Sequence, residues 1–221
     1  MFEVLELSTL EFVDASLREG LLYDLTNRRS AEDIRELTVA NWRGRFRVDI
    51  DQARRVGRTA LALFDQMQQS WALPHQYRDL LRWSCDLHEI GAVVSSRHLN
   101  RHGAYLLENG ELAGFSHANR RAMALLIRGS RGTFPVFAYT ALDEGSAAAL
   151  RRITVLLRLA VIVERSRTDA DSPAVKIRGG EGQIELALPP RWLTDHALSR
   201  AELNHERDRL TEIGLRLDVR P

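Results

Sequence analysis

The stretch from Ser146 to about Arg165 constrains the fold most. It is apolar on most sides, so as a helix it must be wrapped by the rest of the chain. It cannot span a bilayer, because its longest apolar run, Ile153 to Val163, is too short and is broken by Arg158. A charge inside Leu156-Leu157-Arg158-Leu159-Ala160-Val161 must be paired if it is buried. The expected partner is Glu89, with Asp86 as the alternative, in an ion pair that serves architecture.

The wrapping helices can be read from spacing and caps. Ser30 to Trp42 reads as a helix capped by Ser30, and Asp49 starts a longer one to about Trp71. In the latter, Ala53, Val56, Ala60, Leu61, Leu63, Phe64 and Met67 recur at helical spacing and form one buried face. Pro74 suits the first turn of a helix running to about Ile90, which Gly91 breaks. Residues 96–108 form a short helix, and Ser116 caps another through about Arg128. Gly129 to Asp143 reads as a loop carrying three exposed aromatics, Phe134, Phe137 and Tyr139. At the start of the chain, Met1–Leu7 reads as a strand and Asp14–Leu25 as a helix.

The pattern changes after the turn-rich Arg165–Pro173. Ala174–Arg178 and Gln183–Leu188 alternate as strands across a glycine-rich turn, and Pro189-Pro190 stops the second. Leu198–Ile213 is a polar amphipathic helix, and Leu215–Val219 a third strand. The expected fold class is therefore mainly α, a helical domain followed by a small α/β (β-β-α-β) unit.

The chemistry clusters between Ser84 and Leu107, where His88, Glu89, His98 and His102 fall close together. Three readings stay open for them. His88 and Glu89 can be structural, hydrogen-bonded to their surroundings. His88, Glu89, His98 and His102 can be a metal site, on ligand type. The group can also contact phosphate, alongside arginines. All but one of the 31 basic residues are arginine, Lys176 being the exception, and a guanidinium is a planar fork suited to phosphate. Arg97, Arg101, Arg120, Arg121, Arg128 and Arg131 form one basic group near the histidines, and Arg151, Arg158 and Arg165 line one side of the core helix. Together they can make a groove for a polyanion. The net charge of +1 gives no general pull toward nucleic acid or membrane. The single cysteine, Cys85, rules out an internal disulfide, and with no signal peptide at the start the expected compartment is the cytoplasm.

Leu87-His88-Glu89-Ile90-Gly91, the run Arg101-His102-Gly103-Ala104-Tyr105-Leu106-Leu107-Glu108-Asn109 and Gly114-Phe115-Ser116 resemble the C-terminal region of the Ppx/GppA phosphatases, the exopolyphosphatases and guanosine pentaphosphate phosphohydrolases. The resemblance implies a helical domain related to the HD phosphohydrolases, at 29–168, and a small α/β domain at 169–221. Ser16 to Leu25 resembles the end of the family's actin-like catalytic part, so residues 1–28 are expected to be its remnant. A working HD site needs an early-helix histidine, a His-Asp pair and a late aspartate. This chain has no histidine on the early helix, His88-Glu89 as the pair, and Arg158 on the late helix. The resemblance thus implies that this chain is not itself catalytic and carries no cofactor, Mg2+ being expected of the full-length enzyme. Its implied role is to bind polyphosphate (or guanosine pentaphosphate), to form a homodimer, or both, beside actin-like catalytic domains. The expected polyphosphate contacts are Arg97, His98, Arg101, His102, Arg128 and Arg131. A self-standing metal-dependent HD phosphohydrolase acting on nucleotides is the alternative, and a purely structural module a third.

Overall fold

The computed structural model describes residues 28–221. The strand at 1–7 and the helix at 14–25 fall outside them. Six helices come first: α1 (Arg28–Arg45), α2 (Ile50–Met67), α3 (Gln76–Leu87), α4 (Leu99–Asn109), α5 (His117–Gly129) and α6 (Glu144–Val163). A three-stranded sheet with two further helices follows: β1 (Lys176–Gly179), β2 (Gln183–Ala187), α7 (Pro190–Asp195), α8 (Ala197–Thr211) and β3 (Arg216–Arg220). The protein is mainly helical, with a small α/β unit after the helices. Among the described residues, no helix is long and apolar enough to cross a membrane.

Side-chain caps set the helix starts. Asp49 accepts the Gln52 amide at 2.9 Å and opens α2, and Ser116 accepts the Asn119 amide at 3.1 Å and opens α5. Asp143 accepts the Ser146 amide at 2.9 Å, so α6 begins at Glu144, two residues before the expected Ser146. From Ile153 to Val163 every residue of α6 is buried, and α2, α3, α5 and α8 pack around it. The 3-10 turn Ile90–Val93 crosses α4 at very short range. A Cβ on Gly91 would lie 1.9 Å from the Leu99 carbonyl oxygen, so only glycine allows this approach.

The loop after α5 departs from the sequence reading. Phe134 and Tyr139 are buried, at 2% and 0% exposure, and only Phe137 faces solvent. A short 3-10 turn, Val136–Tyr139, brings Tyr139 inward, and Phe134 packs on it from just before the turn. The Tyr139 hydroxyl pairs with the Thr154 hydroxyl at 2.8 Å, and the Phe134 ring stacks on Tyr139 beneath the Arg158 guanidinium.

In the sheet, β2 is central. It runs antiparallel to β1, with Ile177 opposite Leu186, and parallel to β3, with Ile184 opposite Leu217. The parallel pair needs a crossover, which α7 and α8 supply. Ile177, Ile184, Leu186 and Leu217 bury one face of the sheet. The sheet is fastened to α2 and the turn after it: Gln66 Oε1 accepts the Ile177 amide at 2.8 Å, and the Trp71 indole, past the end of α2, donates to the Gly180 carbonyl in the β1–β2 turn at 2.8 Å.

Candidate functional site

Arg158 points away from Glu89 and toward α8. Its Nε and Nη2 donate to both oxygens of Glu206, at 2.5 and 2.7 Å, and its remaining donors reach the carbonyls of Gly129 and Gly132 at 2.5 and 2.8 Å. Both side chains are 1% exposed. The expected Glu89–Arg158 pair is therefore corrected to Arg158–Glu206. The reason is one of reach: α8 lies against this side of α6, and a bidentate fork needs a carboxylate in its own plane. Glu89 is held instead by two other arginines, whose Nη2 groups both donate to its Oε1: Arg167 at 2.5 Å and Arg131 at 3.2 Å.

The four residues of the metal alternative do not come together. His88 is fully buried, with Nδ1 2.7 Å from the Cys85 carbonyl, which fixes Nδ1 as the protonated nitrogen. Its Nε2 has no hydrogen-bond partner and lies 3.9 Å from Glu89 Oε1. Burial lowers the His88 pKa, against the opposing pull of Glu89. His98 is the exposed residue preceding α4, and His102 is half-buried on that helix. Among the described residues, no three His, Cys, Asp or Glu side chains are placed to hold a metal ion.

Five of the six expected phosphate contacts do come together. A cleft of about 440 Å³ is lined by Arg97, His98, Arg101, Arg128 and Arg131, with the Gly132–Pro135 loop as its far wall. His102 does not line it. Asn100, which the sequence reading passed over, fixes the cleft's width. Its amide donates to the carbonyls of Arg128 at 2.8 Å and Arg131 at 3.1 Å, tying the first turn of α4 to the end of α5 and the loop after it. No acidic residue lines the cleft. Arg97, Arg101 and Arg128 are exposed and make no ion pair among the described residues.

A second cavity of about 310 Å³ lies behind the cleft, between α6, α8 and the 164–167 turn, and shares Arg131 and Gly132 with it. It holds more arginines, but they are paired. Arg165 meets Glu202, Arg158 and Arg209 meet Glu206, and Arg167 meets both Asp49 and Glu89. The back cavity is a network of ion pairs, and among the described residues the positive charge of the front cleft stands uncompensated. The expected line of Arg151, Arg158 and Arg165 therefore forms no open groove, because Arg158 is buried and Arg165 is paired.

Arg131 belongs to both spaces. Burial lowers its pKa, partly offset by Glu89, and its Nε is buried without an acceptor. Arg167 and Glu206 carry no sequence signal of their role: each sits in a polar stretch that reads as surface. Compared with models of known protein families, residues 34–207 match the one described as Ppx/GppA phosphatase, domain III.

Proposed function

We propose, for a chain that belongs to the Ppx/GppA phosphatase family through its domain III, that the arginine cleft holds a linear polyphosphate while actin-like domains of the same enzyme cleave the chain's terminal phosphate. One observation carries this reading: three exposed arginines, Arg97, Arg101 and Arg128, share a cleft with Arg131 and with no carboxylate. Other exposed arginines, such as Arg121, Arg200 and Arg207, also lack an acid among the described residues, so what marks the cleft is that four guanidiniums gather where no carboxylate lines the wall. A row of unpaired guanidiniums on a fixed frame suits a ligand that offers one negative charge after another. The cleft is open at the surface, which fits a chain passing through better than a small enclosed substrate. In this reading the histidines have different roles. His98 stands in the cleft as a hydrogen-bond donor, and buried His88 supports the end of α3.

The test is polyphosphate binding to this chain at two salt concentrations, with metal content measured on the same sample. Affinity should fall steeply with salt on metal-free protein. Arg97→Ala, Arg101→Ala and Arg128→Ala should each reduce the slope of log affinity against log salt by about 0.7, the single-strand value per contact. Binding that ignores salt, or that survives the triple variant unchanged, overturns the reading.

A further inference from the structure

Among the described residues, Arg131 is the one cleft arginine with a carboxylate on it, and that carboxylate has a second cation. Glu89 is 8% exposed, and a carboxylate so buried cannot be left without a cation. It has two, and both donate to the same oxygen. Arg167 holds the short bond, 2.5 Å, and Arg131 the longer one, 3.2 Å. Arg131 also has a donor to spare: its buried Nε has no acceptor, and its side chain, 40% exposed, lines the cleft as well as the second cavity. Arg167 does not line the cleft and is anchored on its other side by Asp49 Oδ2 at 3.1 Å.

We propose that Arg167 is a positioning residue for the cleft: by keeping Glu89 compensated, it frees Arg131 to turn from Glu89 to a phosphate of the bound chain. This rests on the cleft reading above. Without Arg167, Arg131 would be the only cation left for a buried carboxylate and would stay on it, removing a contact from a site that Arg167 never touches.

The experiment is medium-chain inorganic polyphosphate binding at several salt concentrations, on the whole chain. Arg131→Ala should bind about fivefold more weakly at roughly 0.1 M salt, the loss expected for one contact at a slope of about 0.7. Arg167→Asn should show the same loss and the same drop in slope. Asparagine is chosen because it tolerates the left-handed backbone at this position, φ 60°. Arg167→Lys, which keeps the charge, should bind like the wild type and guards against an unfolded asparagine variant. Arg167→Asn with Glu89→Gln should regain wild-type affinity, because a neutral amide no longer needs Arg131. Arg167→Asn with Asp49→Asn restores the same net charge and keeps a capping side chain on α2, yet leaves Arg131 on Glu89, so it should stay weak.

Rescue by Glu89→Gln but not by Asp49→Asn establishes the mechanism. The inference is overturned, with the cleft reading intact, if Arg167→Asn binds like the wild type while Arg97→Ala and Arg128→Ala bind more weakly. Equal rescue by both double variants overturns it too, because bulk charge then explains the effect. If no cleft variant weakens binding, both readings fall.

Discussion

Replacing Arg158 by methionine tests the ion pair that joins the helical body to the C-terminal unit. The substitution removes four donated hydrogen bonds, two to Glu206 and one each to Gly129 and Gly132. Glu206 would remain 1% exposed, with only Arg209 nearby at 3.5 Å. Breaking one side of a buried pair destabilises by about 3 to 5 kcal/mol, mostly through the charge left behind. Arg158→Met with Glu206→Leu removes both charges. What remains is the loss of donors to two carbonyls beside the back cavity, which water can partly replace, so the double variant should lose only about 1 to 2 kcal/mol. Urea denaturation followed by circular dichroism reads both numbers. Cys85 gives a second readout: it is 1% exposed and burial raises its thiol pKa, so a thiol reagent should reach it only when the chain opens. A single variant within about 1 kcal/mol of the wild type would refute the reasoning, because no buried charge could then have been stranded. So would a double variant no more stable than the single.

Two other positions give independent checks. Gly91→Ala would drive a Cβ into backbone atoms, Leu99 O at 1.9 Å and Gly103 N at 2.5 Å, whereas Gly103→Ala meets first the Ile127 side chain at 3.0 Å. Thermal melts should show Gly103→Ala destabilised by about 1 to 3 kcal/mol and Gly91→Ala by more; equal melting would refute the close approach. His88 has a folded pKa lowered by burial, so the unfolded chain takes up its proton first. Stability should fall as pH drops below about 6.5, by at most about 1.4 kcal/mol per pH unit from this residue. His88→Asn keeps a donor toward the Cys85 carbonyl and should flatten that slope between about pH 5 and 6.5, above the range where Asp49 and Asp65, whose pKa values are lowered, take up protons. Identical slopes would show that His88 carries no titration of its own there.

What the sequence revealed and what it hid follow from distance along the chain. Helices with local signals were legible: Asp49 and Ser116 cap where their side chains suggest, and Ala53 to Met67 bury the face their spacing marks. Strands around Gly179–Gly182 were legible because turn and alternation lie side by side. The need for a partner to Arg158 was legible too, since an arginine among the five apolar residues of 156–161 cannot stand alone. The partner's identity was not. Glu206 lies 48 residues on, in a helix so polar that one more glutamate carries no mark of burial. Phe134 and Tyr139 were misplaced for a related reason. A four-residue 3-10 turn is too short to show a period, so nothing local says which aromatics turn inward. Of the expected site residues, Arg97 to Arg101 and Arg128 to Arg131 converge because α4 and α5 pack together, a contact between separate segments that no local pattern fixes.

The bonds from α2 and the turn after it to the sheet also set a timetable. Gln66 waits for Ile177 and Trp71 for Gly180, partners 111 and 109 residues later in the chain. At ribosomal rates of 5–20 residues per second, α2 spends roughly 5 to 20 s in the growing polypeptide before β1 emerges. Throughout that interval the Trp71 indole, 1% exposed in the finished fold, has no strand to cover it. The nascent chain therefore offers a large aromatic surface to chaperones or to neighbouring chains, and synthesis slowed between codons 71 and 180 should lower the soluble yield without changing the final fold.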